Sequence, residues 1–291
     1  MPCRRHDAPS DSSGWTVQEL GAARRTNRRS GPCGTSTVSR RLASTPHATG
    51  LVGGGGVNVD QRTGAIVSVA LAPLVDGPRQ ELGVAHATRS VWQLVDPRGH
   101  VVACVTFQAG LRLPHAISVT QPPRTASLVV GGGTLSLEGR RLPVMRWWRP
   151  ARPRHPSLGG SVRDDVAAGF ARRWRQSLGH GEGLTPYADD VLCGTLATLH
   201  AARHPVADTV SREIEAAPLE DLTTAASAGL LRQTAAGWCL DEVAAVLAAR
   251  VTGVGLPQAA AALHRIGHSS GRGLSEGIDR VLGATTRKAT T

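Results

Sequence analysis

Residues 179–203 read GHGEGLTPYADDVLCGTLATLHAAR. From Val191 onward the run is apolar or small nearly all round, which places it as a helix at the centre of a bundle rather than on a surface. Its approach has a different character, with three glycines, a Thr-Pro step and two adjacent aspartates. Locally, Thr185 reads as the N-cap and Pro186 as the first helical residue, with Asp189 and Asp190 where the helix dipole favours negative charge.

Working outward, Val166, Phe170, Trp174 and Leu178 repeat at four-residue steps, predicting an upstream helix capped by Gly179. Further helices are expected at about 206–217, 221–236, 240–252, 256–266 and 272–283. Residues 151–291 therefore read as an α-helical domain. The proline-rich stretch PVMRWWRPARPRHPSLGG (143–160) marks its boundary, with Trp147 and Trp148 suited to packing in the seam.

Residues 63–150 have the opposite pattern, short β-branched runs between turn residues. SVWQLV-DPRG-HVVACVTF predicts a hairpin with Pro97 and Gly99 in the turn, and SLVV-GGG-TLSL predicts a second. AIVSVAL and HAISV complete the set, giving a small antiparallel barrel or sandwich. The fold class is thus α+β, a β-rich part followed by an all-α part. Residues 1–62 are rich in Ser, Thr, Gly, Pro and Arg without periodicity, and read as a disordered basic extension.

The net charge of +11 comes almost wholly from arginine, Lys288 being the one lysine. Ten arginines lie between Arg140 and Arg175 against Asp164 and Asp165. With two phenylalanines and one tyrosine, the chain has little material for stacking bases, so an anionic small molecule or acidic partner fits better than nucleic acid. Nucleic-acid binding through the arginine-rich segments stays as the lesser alternative. Five scattered cysteines with no C-x-x-C pair suggest neither disulfides nor a zinc site. No apolar run approaches eighteen residues and no secretory signal is evident at the N-terminus, so a cytoplasmic protein without a membrane span is expected.

Two loops in the helical half share a design: Gly181 to Asp190, and Gly267-His268-Ser269-Ser270-Gly271. Glycine-rich turns at helix N-termini offer backbone N–H groups to phosphate or carboxylate. Thr224 and Ser227 add hydroxyls three residues apart on a helix face. Together Gly181, Gly183, Leu184, Thr185, Thr224, Ser227, Gly267, Ser269, Ser270 and Gly271 form the candidate substrate-binding set, with Asp189, Asp190 and His268 as candidate catalytic groups. Adjacent helical residues point about 100° apart, so one aspartate could hold a metal ion such as Mg2+ or orient an amine while the other caps the helix or binds an arginine. His180 and His268, each after a glycine, are candidate acid–base groups. No Walker or dinucleotide-binding spacing occurs at these sites.

The string Gly183-Leu184-Thr185-Pro186, two residues, then Asp189-Asp190 resembles the G-L-T-P-S-G-D-D hallmark of the AllH-like family, related to a subunit of oxamate carbamoyltransferase. The Thr224-x-x-Ser227 and Gly267-His-Ser-Ser-Gly271 segments are similar to later family blocks, extending the resemblance over about 64–285. Tyr187 and Ala188 stand where the family has Ser-Gly, and a tyrosine there is expected to crowd the loop. The resemblance implies transfer of a carbamoyl group between carbamoyl phosphate and oxamate, forming oxalurate and phosphate, beside FdrA-like and AllG-like partner subunits. A non-catalytic protein that binds a small anion or nucleotide, or acts as a scaffold, is the alternative from a different class.

Overall fold

Pro143 sits between two short strands that finish on opposite edges of one sheet. The computed structural model describes residues 64–107, 112–120 and 127–283; the expected N-terminal extension lies outside them. Nine strands follow in order: β1 (Ala65–Ser68), β2 (Gln80–Ala87), β3 (Val91–Val95), β4 (Val101–Thr106), β5 (Ala116–Val119), β6 (Leu128–Gly131), β7 (Thr134–Leu137), β8 (Arg140–Leu142) and β9 (Val144–Trp148). Their spatial order is β8-β7-β6-β2-β3-β4-β5-β1-β9. Because one residue joins β8 to β9, the two edges must be close, and the sheet curls into a nearly closed barrel. The Ala65 N–H donates to the Pro143 carbonyl (2.9 Å), securing that corner.

Both predicted hairpins form, β3–β4 and β6–β7. The sheet is mixed: β1 runs parallel to β9, and β4 parallel to β5. AIVSVAL is strand only to Ser68, whose hydroxyl accepts from the Ala70 N–H (3.2 Å). A 3-10 turn and a short helix, α1 (Ala72–Asp76), follow, with Pro73 at its start. Val144–Trp148, inside the proline-rich stretch, pairs with β1 and belongs to the barrel. Leu82, Leu94, Val105, Ile117, Leu128 and Leu135 fill the barrel interior.

The helical region comprises α2 (Asp164–Arg173), α3 (Tyr187–Ala202), α4 (Pro205–Ala216), α5 (Leu219–Leu222), α6 (Ala225–Ala235), α7 (Asp241–Thr252), α8 (Leu256–His264) and α9 (Ser270–Leu282). α2 ends before Trp174, which begins a 3-10 turn over Trp174–Ser177, so the four-residue repeat spans two elements. α3 is the central helix, buried almost continuously from Asp189 to Ala202. Around it Leu196, Leu199, Val210, Ile214, Leu231, Leu247 and Ile278 form a second core. No helix among the described residues is long and apolar enough to cross a membrane.

α9 lies against α3 with almost no side chain between the backbones. A Cβ on Gly194 would fall 2.1 Å from the Leu274 carbonyl oxygen, and one on Gly277 would fall 2.3 Å from that of Val191. Only glycine permits this approach. The barrel joins the helices through Glu220, which accepts from the Val101 N–H (2.7 Å) and pairs with Arg232 (2.7 Å). His115, at the entry to β5, is 1 % exposed and rests against Gly229 of α6. Its neighbours Leu113 and Pro114 are thereby carried onto the helical half, where the candidate site lies.

Candidate active site

The loop before α3 is held by its own helix. Asp189, 1 % exposed, accepts from the Gly179 N–H (2.8 Å) and from the Thr223 hydroxyl. Both of its carboxylate oxygens are thereby engaged in closing the loop. Gly181 has φ +123°, and a Cβ there would sit 2.7 Å from the Tyr187 nitrogen, so the loop needs glycine to reach the helix start.

Thr185 is not the N-cap. The helix begins at Tyr187, Pro186 takes the cap position without a side-chain bond, and the Thr185 hydroxyl lies 2.7 Å from the Ser270 hydroxyl. The local cap loses to a tertiary partner because α9 passes directly over the start of α3. The expectation for Thr224 and Ser227 also changes. Thr224 itself caps α6, accepting from the Ser227 N–H (3.2 Å) and donating to the Leu184 carbonyl (2.5 Å). Ser227 is 1 % exposed, and its hydroxyl has no hydrogen-bond partner among the described residues.

The turns expected to present free N–H groups use many of them internally. Ala188 donates to the His180 carbonyl (3.1 Å), Gly271 to that of Ile266 (3.0 Å), and Arg272 and Gly273 to that of Ser269 (both 3.0 Å). Gly271 serves close packing, since a Cβ on it would lie 1.8 Å from the Leu263 carbonyl oxygen. Gly183 and Leu184 are exposed on the loop, while His180 and His268 are exposed beside their glycines, His268 ahead of Ser269 and α9.

Asp190 has the opposite situation to Asp189. It is 2 % exposed, and its Oδ2 has no hydrogen-bond partner among the described residues. Burial raises its pKa to about 7, with the Asp189 charge adding to the rise and the hydroxyls of Ser270 and Thr185 opposing it. Asp190, Thr185 and Ser270 line one cavity of about 100 Å³. Its other walls are chiefly apolar, among them Leu230, Leu240, Val243, Ile266 and Leu274, with Leu113 and Pro114 from the barrel side.

The cavity is smaller than the ~150 Å³ void that accepts a benzene ring in an engineered core, so it suits a ligand of a few heavy atoms and not a nucleotide. Cys193 and Cys239 also line it, but burial pushes the Cys193 thiol far up and the Cys239 thiol to about 12, so neither is a thiolate nucleophile. Leu113, Leu240 and Ile266 are shared with an adjoining depression of about 290 Å³ that contains Arg112, Arg265 and Gly267, facing Asp241 and Glu242. Neither arginine forms an ion pair among the described residues.

The structure thus joins Thr185, Asp190 and Ser270 in one cavity wall and brings Leu184 to Thr224. It adds residues the sequence did not mark: Leu113, Pro114 and Arg112 across from the helices, and Arg265 beside Gly267. Only a basic residue next to a glycine turn could have flagged Arg265, and nothing chemical distinguishes Leu113-Pro114. Tyr187, expected to crowd the loop, does not line the cavity, because its hydroxyl donates to Glu276 of α9 (2.5 Å). Among the described residues no three His, Cys, Asp or Glu side chains form a group that could hold a metal ion.

No curated protein and no solved structure matches the chain. Residues 177–282, a narrower span than the sequence resemblance, match the model of a family described as oxamate carbamoyltransferase subunit AllH. The helical region that holds the Asp190 cavity therefore carries an AllH-like family assignment.

Proposed function

We propose that this chain is the substrate-holding subunit of an oxamate-carbamoyltransferase-like enzyme, with the Asp190 cavity receiving the amide end of its substrate. The observation that carries the reading is the unpartnered Oδ2 of a buried Asp190 in a cavity sized for a few heavy atoms. An –NH2 group is the natural donor to such an oxygen, and oxamate offers one on a six-heavy-atom skeleton. The carboxylate of oxamate, or the phosphate of carbamoyl phosphate, then lies toward Arg112 and Arg265 in the adjoining depression.

Transfer requires the oxamate nitrogen to bond to the carbamoyl carbon while that carbon's bond to the phosphate oxygen breaks. Phosphate leaves, and the nitrogen gives up one proton as oxalurate forms. Asp190 is the proposed acceptor of that proton, since a general base works best with a pKa near the working pH and burial holds this carboxyl at about 7. Ser270 and Thr185 orient it. Asp189 keeps the loop in place, and exposed His268 has no part in this step.

FdrA-like and AllG-like subunits are the proposed partners. The test is carbamoyl phosphate consumption with oxamate, measured for the chain alone and with both partners. Turnover in the complex that falls at least about a hundredfold in Asp190→Asn supports the reading, in line with the loss of a general base. A complex that turns over equally well with Asp190→Asn refutes it.

A further inference from the structure

A second polar site lies at the other end of α3. Asp190 and Arg203 are thirteen residues apart along that helix, or ~20 Å at about 1.5 Å per residue, so one small ligand cannot span both. There a groove of about 640 Å³ is lined by Arg152, Arg154, Arg203 and Arg212, with His200 and Ser211 between them. The arginines come from three places: the segment after β9, the end of α3, and α4.

Three observations set this cluster apart from a merely basic surface. Arg163, Arg175, Arg232, Arg250 and Arg280 each pair with a carboxylate, whereas none of the four groove arginines does among the described residues. The only carboxylates in the groove are Asp208 and Glu215, leaving four guanidinium groups against two acids. Two of the four are also held by neighbours: Arg152 stacks over Trp238 (5.2 Å), and Arg212 Nε donates to the Asp208 carbonyl (3.3 Å).

Between the arginines, His200 Nε2 lies 2.9 Å from the Ser211 hydroxyl, which is 7 % exposed. Burial, the first of several influences, lowers the His200 pKa, and the ring is held between the Ser211 hydroxyl and the Ala235 backbone. The groove sits where α3 and α6 end, and the negative ends of their dipoles ease the crowding of positive charge.

We infer that this groove is a binding site for a phosphorylated small molecule, separate from the Asp190 cavity. Planar guanidinium forks match phosphate oxygens in pairs, and unpaired arginines from three segments converge on one concavity. Its volume falls in the range of small-molecule pockets, large enough for a nucleoside polyphosphate. A concave cluster of this kind, with Trp238 already engaged by Arg152, favours such a ligand over a nucleic-acid strand, which needs an extended track and free stacking faces.

The test is calorimetric titration of the full chain with inorganic phosphate, pyrophosphate and ATP, with a twelve-nucleotide single strand as a further arm. Pyrophosphate or ATP is expected to bind at least tenfold more tightly than phosphate. Arg154→Gln and Arg212→Gln, both at exposed positions and therefore expected to fold, should each weaken that binding about tenfold, with the melting temperature checked in the same preparations. Asp190→Asn should leave it unchanged, which separates this site from the proposed catalytic one. Absence of binding at millimolar pyrophosphate and ATP, binding indifferent to both arginine variants, or tighter binding of the oligonucleotide than of ATP would each overturn the assignment.

Discussion

At Asp190 burial raises the carboxyl to about 7, well above the 3.8 of the unfolded chain, so the folded protein keeps a proton across an interval in which the unfolded chain has released it. The stability this group contributes is full below the unfolded value and is lost as pH rises through the folded one. Asp190→Asn removes that loss. Its melting temperature relative to the parent should therefore be higher at pH 8 than at pH 5 by calorimetry; a constant difference would mean that the buried carboxyl does not titrate in this interval. Tyr187 belongs to the same scale. Its bond to Glu276 links α3 to α9 outside the cavity, so Tyr187→Phe should cost about 1 kcal/mol in urea denaturation while leaving oxamate affinity within twofold. A large loss of affinity would place the tyrosine in the site after all. That the aspartate pair would need partners was legible in the sequence, because two carboxylates before an apolar run are costly to bury alone. Their division of labour was not, since it depends on Thr223 and Ser270, which lie 34 and 80 residues away from the partners they serve.

Among the elements, the contact of α3 with α9 decides whether the cavity exists, because it sets Ser270 against Thr185 and Asp190. Gly194→Ala would drive a methyl group against the Leu274 backbone, where no side-chain rotation gives relief. A loss of about 3 kcal/mol, the upper end for overpacking, is expected from urea denaturation, and near-wild-type stability would show that the helices do not lie so close. Gly181, Gly183, Gly267 and Gly271 read as anion-binding turns, whereas nothing local marked Gly194, Gly273 and Gly277. These last three clear space for backbone and for Asp190 itself, a role visible only when the two helices are seen together. Thr185 shows the same limit from the other side: its local capping signal was real, and a hydroxyl from a distant helix outbid it.

Over the whole molecule, the division into a barrel and a helical half followed from the change in period, from β-branched runs with glycine turns to four-residue repeats. The strands that were missed had weak signals: QELGVAHA is polar at one end and interrupted by Gly83, and VMRWW looked like part of a proline-rich boundary. Closure of the barrel and its seating on the helices rest on long-range pairs such as Glu220 with Val101 and Arg232, which no local pattern encodes. Burial alone would raise the Glu220 carboxyl, but Arg232 and the Val101 N–H outweigh it and hold the group low. Glu220→Ala strands a partly buried arginine and an amide, and should cost about 2 kcal/mol at neutral pH. The deficit should shrink as acid protonates Glu220 in the parent, because stability from a lowered carboxyl is lost as pH falls through its folded value. That seating also carries Leu113 and Pro114 onto the cavity, so the proposed site needs both halves of the chain. The measurement that bears most directly on it is calorimetric titration of oxamate into the chain assembled with its FdrA-like and AllG-like partners, comparing the parent with Asp190→Asn and Ser270→Ala. At least tenfold weaker binding in Asp190→Asn and a smaller loss in Ser270→Ala are predicted; oxamate that binds all three equally would contradict the assignment of the cavity.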